Sequence, residues 1–443
     1  MWWGRWLVAL TWIAFLSLIF SVSAFSKEPA AKFPDAVESD PIKMKWMVGS
    51  PPPPDRIVRF DDGSFFNFPQ VRWSVSHFRQ LMPTIGVSRG TGPALGMPVS
   101  PRRDIDRLIF KPAGQAAEMS WEQSLLENYT DGILILHKGK IVYEKYLGSL
   151  NREGQHAAMS MTKSFVGTVA EILVAEGTLD SEKPVVAYVP ELQQSGFKDA
   201  KVRDLMDMTT AIRFSEDYAD PKAEVWQHAK AGNPLPKAPD YKGPRSYFEF
   251  LQTIRPEGVT GTEFHYKTAN TDALGWVLAR ASGKNVAELI SEKIWRPLGV
   301  EQDAYMTVDS IGTPFAGGGL NLALRDLARF GELMRNRGRV GGRQVIPEKV
   351  VASVQVGGDP EKFKKAGYDH LQGWSYRSMW WVTHNSHGAF MARGVHGQAL
   401  YVDPKAQMVI ARFGSHPIAA NSANDAVTLP AFQAVAAYLM KVK

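Results

Sequence analysis

The sequence predicts an α+β protein in which helices flank an antiparallel sheet and a helical subdomain is inserted between the two halves of that sheet. Three observations predict it. One hairpin pattern is centred near residue 139 and another near residue 404, helical patterns fill the stretch between them, and a further helical pattern closes the chain. Strands that far apart have to share a sheet to bury their apolar faces, so the sheet is assembled from distant parts of the chain.

The elements follow in order. Met1 to Ala24 carries one charge, Arg5, then the apolar run Trp6–Val22 and the small-x-small ending Val22-Ser23-Ala24. This reads as a secretory signal peptide that is removed on export to the periplasm or medium; if it were retained, it is long enough to anchor the chain in a membrane. Residues 25–50 read as an N-terminal tail. Pro51 to Pro54 is a stiff polyproline start to the ordered part. Residues 51–183 are expected to form the first part of the α/β domain. Within them an arm over 55–115 has one short helix near Val75–Met82. Next comes a hairpin: Gly132–Leu136, a turn at Lys138-Gly139-Lys140, and Ile141–Tyr146. A loop at Gln155–Met159 leads into a helix over 161–176, with Phe165, Val169, Ile172 and Leu173 on one face.

Residues 184–312 show helical patterns broken by Pro and Gly and are expected to be the inserted subdomain. They contain a long insertion, Pro221 to Pro244; connections of that length are usually functional or mobile. Residues 313–443 complete the α/β domain. Helices are expected over Leu324–Arg335 and Pro347–Val354, then the hairpin Gln398–Val402 and Gln407–Arg412 around Asp403-Pro404-Lys405, then a helix over Leu429–Met440.

Composition narrows the function. The chain has 443 residues, 44% hydrophobic and 22% charged, which excludes general disorder and a polytopic membrane protein. With no cysteine there are no disulfides, thiolate metal sites or cysteine nucleophile. No H-x-x-x-H or H-E-x-x-H pairing occurs, so no metal and no cofactor are expected. The net charge of +6, 51 basic against 45 acidic residues, is slight and no basic run of five occurs; nucleic acid is not an expected partner.

Four motifs carry chemistry. Ser160-Met161-Thr162-Lys163 opens the long helix. Residues i and i+3 share a helix face, so the Lys163 amine can reach the Ser160 hydroxyl and take its proton. A helix N-terminus there also suits a developing oxyanion. Alone, the tetrapeptide reads first as a capping serine with an exposed lysine; the long amphipathic helix after it and the loop before it shift the reading towards a nucleophile. Tyr266, in Phe264–Asn270, becomes a usable base if a cation such as Lys163 lowers its pKa; it also reads as a loop anchor. Gly394-Val395-His396-Gly397 precedes the second hairpin, where glycine lets a substrate approach strand backbone. The Val395 N–H is a candidate second oxyanion donor beside that of Ser160, and His396 reads as a substrate contact or a packed edge-strand histidine. Glu216–Asp220 is a solvated acidic turn unless Tyr218 hydrogen-bonds a substrate. Gly86-Val87-Ser88-Arg89-Gly90 matches G-x-S-x-G, but Pro83 before it and the Gly- and Pro-rich run after it leave no strand–turn–helix frame for a nucleophile elbow.

In this order, Ser160-x-x-Lys163, Tyr266 and Gly394–Gly397 resemble the serine hydrolases related to class C β-lactamases and penicillin-binding proteins, above all the 6-aminohexanoate-dimer (nylon-oligomer) hydrolases. The resemblance covers residues 51–440 and includes Glu216–Pro221, Ala269–Asp272, Arg325–Arg329 and His396-Gly397. It implies a β-lactamase/transpeptidase-like fold with the site in a cleft. It also implies Ser160 as the acylated nucleophile, Lys163 and Tyr266 as proton-transfer partners, and the N–H groups of Ser160 and Val395 as oxyanion hole. Tyr218, His396 and Gly397 are its implied substrate contacts. The chain departs from the pattern at three places. Ala229 stands where the better amide hydrolases carry aspartate, Thr268 stands where β-lactamases carry asparagine, and Gly-Val-His replaces their Lys-Thr-Gly. A lactam carboxylate would lose its cationic partner, so little β-lactamase activity is expected. The expected function is hydrolysis of a small carboxylic ester or linear amide, by a monomer or homodimer. The alternatives are a D,D-peptidase or D-aminoacyl esterase acting on cell-wall peptides, and a non-catalytic binding protein of the same fold.

Overall fold

Strand β1 (Thr130–His137) is buried along its whole length, because both of its faces are covered by helices. Its partner β2 (Lys140–Tyr146) completes the first expected hairpin. Further along the chain come β3 (Ser375–Arg377), β4 (Trp380–Val382), β5 (Phe390–Gly394), β6 (Gln398–Asp403) and β7 (Met408–Gly414). Among the described residues, Phe33–Val442 of this computed structural model, these strands form one antiparallel sheet in the order β3-β4-β5-β6-β7-β1-β2. The expected signal peptide and residues 25–32 of the expected tail lie outside the described residues. The ladder β7–β1 pairs Arg412 with Ile133 and Ile410 with Ile135, joining the two hairpins across more than half of the chain.

Helices cover both faces. On one lie α1 (Met161–Ala175) and, towards the C-terminus, Leu324–Arg335, tied together by Phe165 stacked on Phe330 at 3.8 Å between ring centroids. Gly167 permits α1 to lie directly on the β3–β4 turn: a Cβ there would stand 2.0 Å from the Ser378 carbonyl oxygen. On the other face the C-terminal helix, Ser422–Lys441, sets Phe432 against Tyr401 of β6 and against Trp121. It begins seven residues before the expected Leu429. Its first turn is polar, which hides it from a hydrophobic pattern, and its Asp425 is buried in an ion pair instead.

The middle of the chain is mostly helical. It includes α2 (Glu224–Gly232), inside the long insertion, and α3 (Ala269–Ser282). With the remaining two long helices labelled α4 (Leu324–Arg335) and α5 (Ser422–Lys441), α3 packs on α1 and one hydrophobic core runs through both regions. From Pro34 onward the chain is one compact unit.

Three local expectations change. Residues 33–50 are no loose tail: Ala36, Ser39 and Trp46 are buried, and the buried Arg72 donates to the Ala36 carbonyl and the Ser39 hydroxyl. The short helix of the arm is two, Val71–Ser74 and Phe78–Leu81. Gln155–Ala157 is a strand rather than a loop. It pairs with Leu320–Ala323 in a second antiparallel sheet that also takes Ala304–Thr307 and Thr84–Val87.

Candidate active site

The strand Gln155–Ala157 delivers the chain to the start of α1. Ala158 N–H donates to Leu320 O, Met159 turns the backbone with φ 48°, and Ser160 follows at the helix N-terminus. Thr162 locks this entry: its hydroxyl donates to Met159 O at 2.7 Å and accepts from Leu320 N at 3.1 Å. One turn on, Lys163 Nζ lies 3.0 Å from Ser160 Oγ and 2.6 Å from the Gly317 carbonyl oxygen. The lysine is 1% exposed. Burial pulls its pKa down to about 8, against the opposing pull of Glu216 and Asp272. A large share of the amine is therefore neutral and able to accept a proton in mildly alkaline solution.

Tyr266 stands in the loop before α3, its ring stacked on Trp381 and 5.1 Å from Lys163 Nζ. Ser160 acts on its hydroxyl from close by. Burial, with the nearby Glu216 carboxylate, pushes the phenol well above its ordinary pKa, and the Ser160 contact and Arg393 offset this only in part. The sequence-based expectation that Lys163 lowers the phenol is thereby corrected. Burial disfavours both charged forms, so the amine is the better base and the phenol stays protonated.

Gly394 ends β5 against this group. A Cβ there would stand 2.8 Å from Ala158 O and 3.0 Å from Ser160 N, so only glycine admits the strand so close to the serine backbone. Val395 follows and lines the same cavity as Ser160, Tyr266 and Tyr218. Tyr218 is half-buried, with its hydroxyl 3.3 Å from Glu216 Oε2 and its ring edge-on to Trp226. Glu216 in turn accepts from the Thr268 N–H.

Ser160 lies where two cavities meet. The larger, about 510 Å³, is walled mainly by apolar groups such as Phe66, Trp226, Ala229, Pro234, Phe315 and Ile418. The smaller, about 180 Å³, carries His370, Arg393 and Asp425 among aromatic walls that include Tyr218, Tyr368 and Trp381. There Arg393 donates to both oxygens of Asp425 at 2.5 and 2.6 Å, lies over Trp381, and shares Asp425 with His370 at 2.8 Å. Burial raises the Asp425 carboxyl, but Arg393 and His370 outweigh it and hold the carboxyl below its usual range. The guanidinium is thus a cation on the cavity wall whose charge is already matched.

The structure brings together Ser160, Lys163, Tyr266, Val395 and Tyr218. His396 borders the larger cavity but is also the packed histidine that the sequence left open. It is 6% exposed, has φ 63°, and its Nδ1 lies 2.7 Å from His416 O. Burial lowers its pKa, offset in part by that carbonyl. Gly397 is corrected: it lines neither cavity. It turns the chain with φ 90°, and its carbonyl accepts from Arg412 Nε at 2.9 Å. Ser88 of the G-x-S-x-G sequence likewise lines neither cavity; its carbonyl accepts from Ser291.

Sequence reasoning missed Arg393, Asp425, His370 and Trp381, and the buried pair His228–Asp272. Arg393 directly precedes the glycine motif and was legible as a cation beside it. Among the described residues no cluster of His, Asp or Glu is arranged to hold a metal ion.

The β-lactamase family model matches residues 121–427, more than half of the chain, and takes in Ser160, Lys163, Tyr266 and Val395. The chain belongs to the β-lactamase family. This member is 36% identical to a 6-aminohexanoate-dimer hydrolase of Paenarthrobacter ureafaciens over 390 residues, 87% of this chain and 91% of the relative. A solved structure from Bacillus anthracis, provisionally described as a 6-aminohexanoate-dimer hydrolase, superposes with a TM-score of 0.80 at 29% identity over 88% of this chain and 99% of the other. A family VIII carboxylesterase shares the fold, with a TM-score of 0.53 at 16% identity over 71% and 96% of the two chains. This β-lactamase-family protein is a serine hydrolase.

Proposed function

We propose that the chain is an exported serine hydrolase that cleaves a small carboxylic ester or linear amide through an acyl-enzyme on Ser160. The observation that carries this reading is the Lys163 amine, 3.0 Å from Ser160 Oγ and with its pKa at about 8. In the proposed cycle Ser160 Oγ bonds to the substrate carbonyl carbon while its proton passes to Lys163 Nζ. The N–H groups of Ser160 and Val395 receive the oxyanion. Collapse breaks the bond to the alcohol or amine, which takes a proton from the Tyr266 phenol, and the Lys163 ammonium beside the Tyr266 ring gives its proton to the phenolate. Water then attacks the acyl carbon and gives a proton to the Lys163 amine; the Oγ–acyl bond breaks as that proton passes from Nζ to Ser160 Oγ, which frees the acid and restores the hydroxyl.

The larger cavity is suited to an apolar acyl or alkyl portion, since burying apolar surface is worth about 25 cal/mol per Å². Ester turnover is favoured over amide turnover, because an alkoxide leaving group needs less protonation than an amine. A fluorophosphonate should label Ser160 and fail to label Ser160→Ala; labelling that persists in the variant would refute the nucleophile. Rates on a p-nitrophenyl ester and on 6-aminohexanoate dimer decide the leaving group. A stable penicillin adduct at Ser160 would redirect the reading to cell-wall peptides. Export rests on the Met1–Ala24 pattern, and N-terminal sequencing of exported protein tests it.

A further inference from the structure

We infer that His228 and Asp272 are positioning residues for Lys163: together they fix the Gly317 carbonyl that holds the lysine amine on Ser160. This rests on the reading of Ser160 as nucleophile. Four segments distant in sequence form a single file of buried contacts. His228 Nε2, on α2 in the long insertion, lies 2.9 Å from Asp272 Oδ2 on α3. The other oxygen, Asp272 Oδ1, accepts the Gly317 N–H at 3.1 Å. The Gly317 carbonyl accepts from Lys163 Nζ at 2.6 Å, and that amine reaches Ser160.

His228, Asp272 and Gly317 are each closely packed. The rings of Phe214, Tyr247, Phe250 and Phe315 surround His228 with centroids 5.1–5.8 Å away, and the histidine is 1% exposed. Asp272 is 4% exposed. Gly317 has no room for a side chain, since a Cβ would stand 2.4 Å from Thr268 Cγ2. A lone lysine on a flexible stem pivots easily; here one of its donors is tied to a carbonyl that a carboxylate orients through the same peptide segment. His228 also borders the larger cavity, so the file runs from the wall that meets the substrate to the base.

The charged and titratable groups facing Lys163 are few. Ser160 lies one turn before it on α1, Tyr266 faces it from the loop before α3, Glu216 from the segment before the insertion, and Asp272 from α3 with His228 behind. Burial lowers the amine's pKa while the Glu216 and Asp272 carboxylates raise it, so Asp272 acts on the base through charge as well as through Gly317.

The test is the pH dependence of fluorophosphonate labelling of Ser160 in the full chain, read by mass spectrometry. In the native protein the labelling rate should rise with pH around a midpoint near 8. Asp272→Ala removes the acceptor for the Gly317 N–H together with the charge, so labelling above the midpoint should slow at least about tenfold and the midpoint itself should fall. His228→Phe should slow labelling at least about tenfold, the loss expected when a supporting contact of a reacting group is removed. His228→Gln, which can still donate to Asp272, should recover most of that rate. A folded Asp272→Ala protein labelled above its midpoint as fast as the native one overturns the proposal, and so does a His228→Gln protein as slow as His228→Phe. If the native protein is not labelled at all, the nucleophile reading itself has failed.

Discussion

Replacing Lys163 by methionine should abolish turnover and yet make the folded protein gain stability at neutral pH. The amine is fully buried, and its pKa falls from an ordinary 10.5 to about 8. The unfolded chain therefore binds more protons than the folded one between those values. Stability tied to this group is at its lowest below pH 8 and is regained as pH rises towards 10.5. A depression of that size corresponds to about 3 kcal/mol at neutral pH, of which about 2.5 kcal/mol is recovered between pH 6.5 and 10. Methionine has similar reach and no charge, so the Lys163→Met protein escapes this cost. Against it stands the Gly317 carbonyl, which loses its partner at a cost of about 1–3 kcal/mol at every pH. The decisive quantity is the difference between the two proteins, because all other titrations cancel in it. Urea denaturation of both at pH 6.5 and pH 10 should show the advantage of Lys163→Met shrinking by about 2.5 kcal/mol at the higher pH. A difference that does not change with pH would refute the reasoning, since the lysine would then be charged alike in both states.

Gly394→Ala should cost at least about 100-fold in kcat while leaving the circular dichroism spectrum intact, because its Cβ would push against Ser160 N and Ala158 O at the proposed oxyanion donor. Asp425→Ala should destabilise by about 3–5 kcal/mol in denaturant titrations by stranding the buried Arg393. Asp425 also has a lowered pKa, so the stability it contributes is present above the ordinary carboxylate range and is lost as pH falls through its folded value; the acid unfolding curve of Asp425→Asn should lack that component. Ala229→Asp places a carboxylate on the mainly apolar wall of the larger cavity and should raise turnover of 6-aminohexanoate dimer, whose free amine carries a positive charge, relative to a neutral ester of the same length. Equal changes on both substrates would count against an ammonium-binding role for that wall.

The hairpins, α1 and the helix Leu324–Arg335 were legible because each buries its residues with a period of its own. The meeting of Ser160, Lys163 and Tyr266 was legible for a different reason: Ser160 and Lys163 share a helix face, and the motif order pointed to Tyr266. What was hidden has no local period. Strands β3 and β4 have three residues each, too short for alternation to register. Gln155–Ala157 is equally short and exists as a strand only because Leu320–Ala323 lies beside it. The pairs Arg393–Asp425 and His228–Asp272 join residues 32 and 44 positions apart, and nothing in either neighbourhood announces the other. The behaviour of Tyr266 was misjudged because proximity to a cation is visible in a motif, whereas dehydration of a phenol is a property of the finished interior.

The ladder between β7 and β1 has a consequence for how the molecule comes into being. A nascent chain that has emerged as far as residue 400 already contains the serine, the lysine and the phenol, but β1 still lacks the neighbour that covers its inner edge. Assembly must wait for residues 408–414, and contacts spanning that much sequence form slowly. Fragments cut short of that point should be sticky and inert, because the sheet cannot close until residues 408–414 have been made.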